Sequence, residues 1–130
     1  MLGTLFCTRY DAYRADTNAN RRMFARHVGF AVPPSVTGLY CYADEIGADV
    51  TYQHGFTTDS ATIERIVSAL SLTQSPFESD VGFGRELPWW KRDDYKDLVP
   101  YWKQSAENNY FWFLWYDRAT RRAWLLEYSI

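Results

Sequence analysis

Cysteine is scarce in this chain: Cys7 and Cys41 are the only two among 130 residues, and His27 and His54 are the only histidines. No CxxC pair and no Cys/His cluster occurs, which argues against a structural zinc site, since that needs four such ligands at short spacings. An excess of positive charge is also lacking. With a net charge of −2 and a pI near 5.6 the chain has no overall field to capture duplex nucleic acid or an anionic membrane. No apolar run approaches the ~18–20 residues of a membrane-spanning helix. Gly82-Phe83-Gly84-Arg85 lacks the third glycine, the Lys-Ser/Thr and the strand-to-helix frame of a phosphate loop. GxSxG, HExxH and paired-acid signatures are missing as well. On these grounds no catalytic residue, metal or cofactor is assigned.

Aromatic side chains are what the chain has in quantity, 18% of its residues. They supply either a dense core or a binding face, and composition does not separate the two. The length corresponds to a single domain over residues 1–130, large enough to fold without disulfides. In Tyr110–Tyr116 seven apolar or aromatic residues follow one another without Gly or Pro, as in a strand covered on both faces. Asp117-Arg118-Ala119-Thr120 supplies the turn, because an Asp accepts from backbone donors two and three residues ahead. A second strand then returns through Trp124, Leu125 and Leu126.

Upstream, residues 2–8 read as a short strand. Thr17 or Asn18 caps a helix over 19–28 that Gly29 ends, with Ala19, Met23, Phe24 and Val28 as its buried stripe and Arg21, Arg22 and Arg26 outside. Pro33-Pro34 imposes extended backbone. Residues 36–43 and 50–57 then form a hairpin around the acidic loop 44–49, and Tyr52, His54 and Phe56 share one face of its second strand. Asp59 or Ser60 caps the next helix, with Ile63, Ile66, Val67 and Leu70 on one side. The expected fold is α+β: one antiparallel sheet built from two hairpins, with helices packed on one face. Residues 73–109 lack a clear period, apart from a short helix opened by Asp93 or Asp94. A connection this long is usually functional or folds over the core as a lid.

That connection carries the candidate site. Trp89, Trp90, Tyr95, Tyr101 and Trp102 alternate with Lys91 and Arg92, and Tyr, Trp and Arg are the residue types that carry interface energy. The expectation is that these rings face outward to a partner, the opposing reading being that they fold inward to cap the sheet. Asp44, Glu45 and Asp49 of the acidic loop would assist by steering the chain toward a basic cleft. The expected function is a non-enzymatic module that binds another protein. Alternatives are a small hydrolase-like enzyme using His54 with Asp49 or Asp59, and binding of single-stranded nucleic acid or a small ligand by the aromatic loop. His27, at a helix end, is explained by the negative helix terminus.

The succession Val28-Gly29-Phe30, Pro33-Pro34-Ser35-Val36, Asp49-Val50-Thr51-Tyr52, Leu70-Ser71-Leu72, the Trp-Trp pair and Trp115-Tyr116-Asp117 resembles small bacterial proteins of the immunity or inhibitor type, some of them exported. The likeness covers residues 28–130 and implies a protein that binds and blocks another protein. As the sequence is written the expected location is cytoplasmic. A start further upstream would make 1–7 the tail of an export signal and the location periplasmic or exported. Cys7 and Cys41 would be buried thiols in the first case and a candidate disulfide in the second.

Overall fold

The computed structural model describes residues 9–45, 47–77 and 84–130. In chain order its elements are α1 (Asn18–Val28), β1 (Thr37–Asp44), β2 (Thr51–Thr57), α2 (Ser60–Leu70), β3 (Thr73–Gln74), α3 (Arg92–Tyr95), β4 (Tyr101–Gln104), β5 (Tyr110–Asp117) and β6 (Arg122–Ser129). The strands form one antiparallel sheet in the order β1-β2-β6-β5-β4-β3. This is the expected α+β domain. The expected strand at residues 2–8, and Cys7 within it, lie outside the described residues.

Both long helices start at the predicted caps, and α1 stops at the predicted glycine. Thr17 Oγ1 accepts the Asn20 amide at 3.1 Å, and Gly29 ends α1 at φ 98°, a backbone that glycine adopts without a Cβ clash. Asp59 Oδ1 accepts the Thr62 amide at 2.8 Å to open α2. The buried stripe of α1 differs by one position from expectation. Asn20 is buried with Met23, Phe24 and Val28, while Ala19 is half-buried.

Side-chain alternation sorts the core into two layers, one on each face of the sheet. On the first face Met23, Phe24 and Val28 of α1 and Ile63, Ile66 and Leu70 of α2 pack on Leu39, Cys41, Phe56, Leu114, Ala123 and Leu125. Cys41 is a free thiol there, and burial pushes it up well above the usual range for a thiol. On the second face Phe111, Phe113, Trp115, Trp124, Leu126 and Tyr128 would lie bare, because neither long helix reaches them. The crossover between β3 and β4 covers them with Leu87, Trp89, Trp90 and Tyr95. Each large side chain enclosed this way contributes roughly 1.5–3 kcal/mol, so the second layer is a major part of the stability.

The expectation that the crossover turns its rings outward is therefore overturned for Trp89, Trp90 and Tyr95, which are 8%, 1% and 0% exposed. The reason lies in β5 and β6, whose apolar side chains occupy both faces and leave one face with nothing else to cover it. Residues 73–109 also hold two short strands that sequence periodicity did not reveal. β3 has two residues and β4 four, too short for alternation to register.

Close fitting of crossover to sheet is visible at Gly55. A Cβ at that position would lie 2.5 Å from Cε3 of Trp89, so the indole occupies the space a side chain would need. Gly55→Ala is expected to lower stability by about 1–3 kcal/mol, as overpacking does, with a change in tryptophan fluorescence. Urea denaturation checks this, and an unchanged midpoint would show that Trp89 does not rest on β2.

Candidate functional site

Four devices bring the segment 9–16 and the crossover together on the second face. Asp11 Oδ1 accepts the amides of Tyr13 and Arg14 at 2.8 and 2.9 Å, a side-chain turn that holds Tyr13 at the surface. The buried Asn20 reaches across from α1: its Nδ2 donates to the carbonyls of Asp11, Arg14 and Leu39, each at 3.0 Å, and its Oδ1 accepts the Asp11 amide. In the crossover, Leu87 and Trp90 exchange backbone hydrogen bonds at 3.0 and 2.9 Å, which makes Leu87-Pro88-Trp89-Trp90 a tight turn with proline at its favoured second position. Gln53 clamps the start of that segment, its amide bonding the carbonyl of Arg85 at 3.0 Å and the N–H of Arg85 at 2.8 Å.

The two segments meet at Trp89. Its indole N–H donates to the Ala12 carbonyl at 2.7 Å, and its ring stacks on Tyr40 at 5.6 Å with 10° between planes. Beside the stack lies a cavity of about 180 Å³ lined by Ala12, Tyr13, Tyr40, Pro88 and Trp89. Tyr13 is 73% exposed, the highest exposure among the large hydrophobic side chains of the described residues. A second cavity of about 270 Å³ is lined by Gly84, Glu86, Trp90 and Arg92. Trp89 and Trp90 are thus core residues whose edges border surface notches.

The predicted site residues separate into groups. Trp89, Trp90 and Tyr95 belong to the second core layer. Tyr95 sits 4.4 Å from the ring of Trp115, and burial pushes its hydroxyl up to about 12. Lys91 and Arg92 are exposed on the rim. Trp102 is half-buried near the other margin of the sheet, donating to Ser75 Oγ at 2.8 Å and stacked on Phe113; Tyr101 faces the helices. Asp44 is half-buried and Asp49 exposed, while the Glu45 carboxylate is held by Arg9 and by the Tyr52 hydroxyl. β1, which leads into the acidic loop, and β4, which carries Trp102, stand four strand positions apart, roughly 19 Å at ~4.8 Å per step. A single surface uniting the loop with Trp102 is not formed.

On the helix face a polar cluster joins residues far apart in the chain. The buried Glu127 accepts from the Tyr110 hydroxyl at 2.6 Å, and its other oxygen lies 3.1 Å from His27 Nδ1. Burial and the adjoining carboxylate hold the Tyr110 hydroxyl well above its usual range. His27 therefore has a carboxylate partner beyond the helix terminus expected for it. The neighbouring His54, whose ring lies 5.6 Å from that of His27, is fully enclosed, with no hydrogen-bond partner on either ring nitrogen among the described residues. Burial, then the nearby His27, depresses it to about 3, so it is neutral. The expected alternative pairing of His54 with Asp49 or Asp59 is not formed: Asp59 caps α2 and Asp49 is exposed. The described residues contain no group of three His, Cys, Asp or Glu side chains able to hold a metal ion, and no helix long and apolar enough to cross a membrane.

Sequence reasoning missed Tyr13, Tyr40 and Pro88. The signals were present: an Asp two residues before Tyr13, a tyrosine at alternate positions with Leu39 and Cys41, and a proline in a four-residue turn. Comparison of the chain with protein-family models, with curated proteins and with solved structures found no match.

Proposed function

We propose that the protein is a non-enzymatic protein-binding module of the inhibitor or immunity type, which engages its partner through the notch at Tyr13, Tyr40, Pro88 and Trp89. The observation that carries this reading is Tyr13, a large ring held in water at the mouth of a preformed cavity. Tyrosine and tryptophan dominate interface energies, and a Tyr13 backbone already held by Asp11 and Asn20 leaves only the side chain to be ordered on binding. Lys91 and Arg92 are exposed just after Trp89 in the chain, and with the exposed Asp49 they act on approach rather than in the final contact. The hydrolase alternative has no accessible base, because His54 is enclosed and neutral.

The test uses a photo-crosslinking residue at position 13, with a copy carrying it at Arg21 on the exposed side of α1 as control. The expected result is one protein captured at position 13 and not at 21, whose affinity for the purified chain falls about tenfold or more with Tyr13→Ala. Equal capture at both positions, or unchanged affinity, overturns the reading.

A further inference from the structure

We propose that α1 is an acid-released lid over His54, and that its release slackens the segment 9–16 and with it the notch at Tyr13. The link to a partner rests on the protein-binding reading above; the opening of α1 does not. His54 is enclosed, with no hydrogen-bond partner on either ring nitrogen among the described residues. α1 roofs it: the Phe24 ring stands edge-on at 6.2 Å, the His27 ring lies 5.6 Å away, and the Met23 backbone leans toward it without hydrogen-bond geometry. The groups around the ring leave a proton there uncompensated. Arg26 and a protonated His27 of α1 repel it. The Glu127 carboxylate of β6 is taken by His27 and by Tyr110 of β5, and the Tyr52 hydroxyl of β2 donates to Glu45. Cys41 of β1, opposite His54 in the ladder, is a buried thiol held in its neutral form. α2 turns only Thr62, Ile63, Ile66 and Leu70 inward, with Glu64 and Arg65 exposed. A proton on His27 meets a carboxylate, whereas one on His54 meets none.

Water reaches the ring only if one of its covers moves. β2 does not give way locally, because it is hydrogen-bonded to β1 on one side and to β6 on the other. α1 is tied less firmly. Among the described residues no backbone hydrogen bond joins it to a strand. It is held by the packing of Met23, Phe24 and Val28, by His27 on Glu127, by Asn20, and by the weak contact of the Cys41 thiol with the Asn20 carbonyl. An element held in this way opens at lower cost than a strand paired on both edges. Asn20 carries the opening to the notch, since its side chain binds the carbonyls of Asp11 and Arg14 and the amide of Asp11, on either side of Ala12 and Tyr13. The Asp16 carboxylate on β1 and the Trp89 bond to Ala12 remain, so the segment loosens around Tyr13 without leaving the sheet. The open form takes up a proton that the closed form refuses, and acid shifts the population toward it.

The test is amide hydrogen exchange of the full chain at pH 7 and pH 5, each in a series of low urea concentrations, comparing α1 with β6. The α1 amides are expected to be less protected than those of β6 and nearly indifferent to urea, the mark of a local opening. Corrected for intrinsic rates, their protection should fall about 25-fold from pH 7 to pH 5, as follows for a ring that titrates at 6.5 when open and about 3 when closed. His54→Leu should remove most of that factor. Exchange of α1 as slow and as urea-dependent as that of β6, protection of α1 unchanged by pH, or the same pH factor in His54→Leu overturns the proposal, and the first two are read on the unaltered chain. Capture at position 13 should fall at pH 5 in the wild-type chain and hold in His54→Leu; loss in both, or in neither, overturns the coupling to the notch. No capture at pH 7 sinks the binding reading and not the lid, which the exchange decides.

Discussion

Trp90→Ala is expected to cost about 3–5 kcal/mol, the range for removing a buried tryptophan or phenylalanine. The indole is 1% exposed, meets the ring of Tyr95 at 5.4 Å and donates to the Tyr95 hydroxyl at 3.1 Å. Truncation would leave a void between the crossover and β6 and remove the donor that faces Tyr95. The crossover would then be held by the Trp89 indole N–H on Ala12, by Tyr95 against Trp115, by Gln53 and by Arg122, which bonds Asp94 at 3.2 Å and lies over the Trp124 ring. Urea unfolding followed by far-ultraviolet circular dichroism measures the loss, and a change under 1 kcal/mol would contradict the placement of Trp90 in the core. The same result bears on how binding can be tested. Removing Trp89 and Trp90 would loosen the fold and the notch together, whereas Tyr13 can be changed alone.

The second large effect concerns acid. His54 is neutral and enclosed in the folded chain, with its folded value near 3 against an ordinary 6.5. Above pH 6.5 neither state protonates this ring, and its contribution is fully present. Between pH 6.5 and 3 the unfolded chain takes up the proton and the folded one does not, so stability falls by up to about 1.4 kcal/mol per pH unit, and by roughly 4–5 kcal/mol over the window. His54→Leu should shrink that acid loss by the same order while leaving stability at pH 7 equal or higher, since no hydrogen bond is removed. Denaturant midpoints of the two chains at pH 7, 5 and 4 provide the measurement. Parallel curves would mean that His54 titrates in the fold as it does in water.

Much of the scaffold was legible because its signals are local. Helix caps at Thr17 and Asp59, the left-handed Gly29 and the turn at Asp117 depend on residues within a few positions of one another. The candidate site depends on contacts across the chain. Trp89 meets Ala12 at a separation of 77 residues, and His27 meets Glu127 at 100. One inference was nonetheless within reach. An unbroken apolar strand needs cover on both sides, two amphipathic helices account for one side, and the tryptophan-rich crossover is the remaining apolar material. Applied to Tyr110–Tyr116, that reasoning turns the rings of Trp89 and Trp90 inward. Which edge of Trp89 stays at the surface depends on Tyr13 and Tyr40, and no pattern within the crossover encodes them.

The margins of the sheet carry a consequence for solubility. Over residues 38–41 the outer side of β1 is occupied by the preceding chain: the Asp16 carboxylate takes the amides of Gly38 and Leu39, the Asp16 amide bonds the Leu39 carbonyl, and Cys41 bonds Asp11. At the opposite margin β3 is only two residues long. Sheets guarded at their rims in this way give a second copy little backbone on which to extend, so resistance to fibril growth is built in at the places where an aromatic-rich strand protein is most exposed to it.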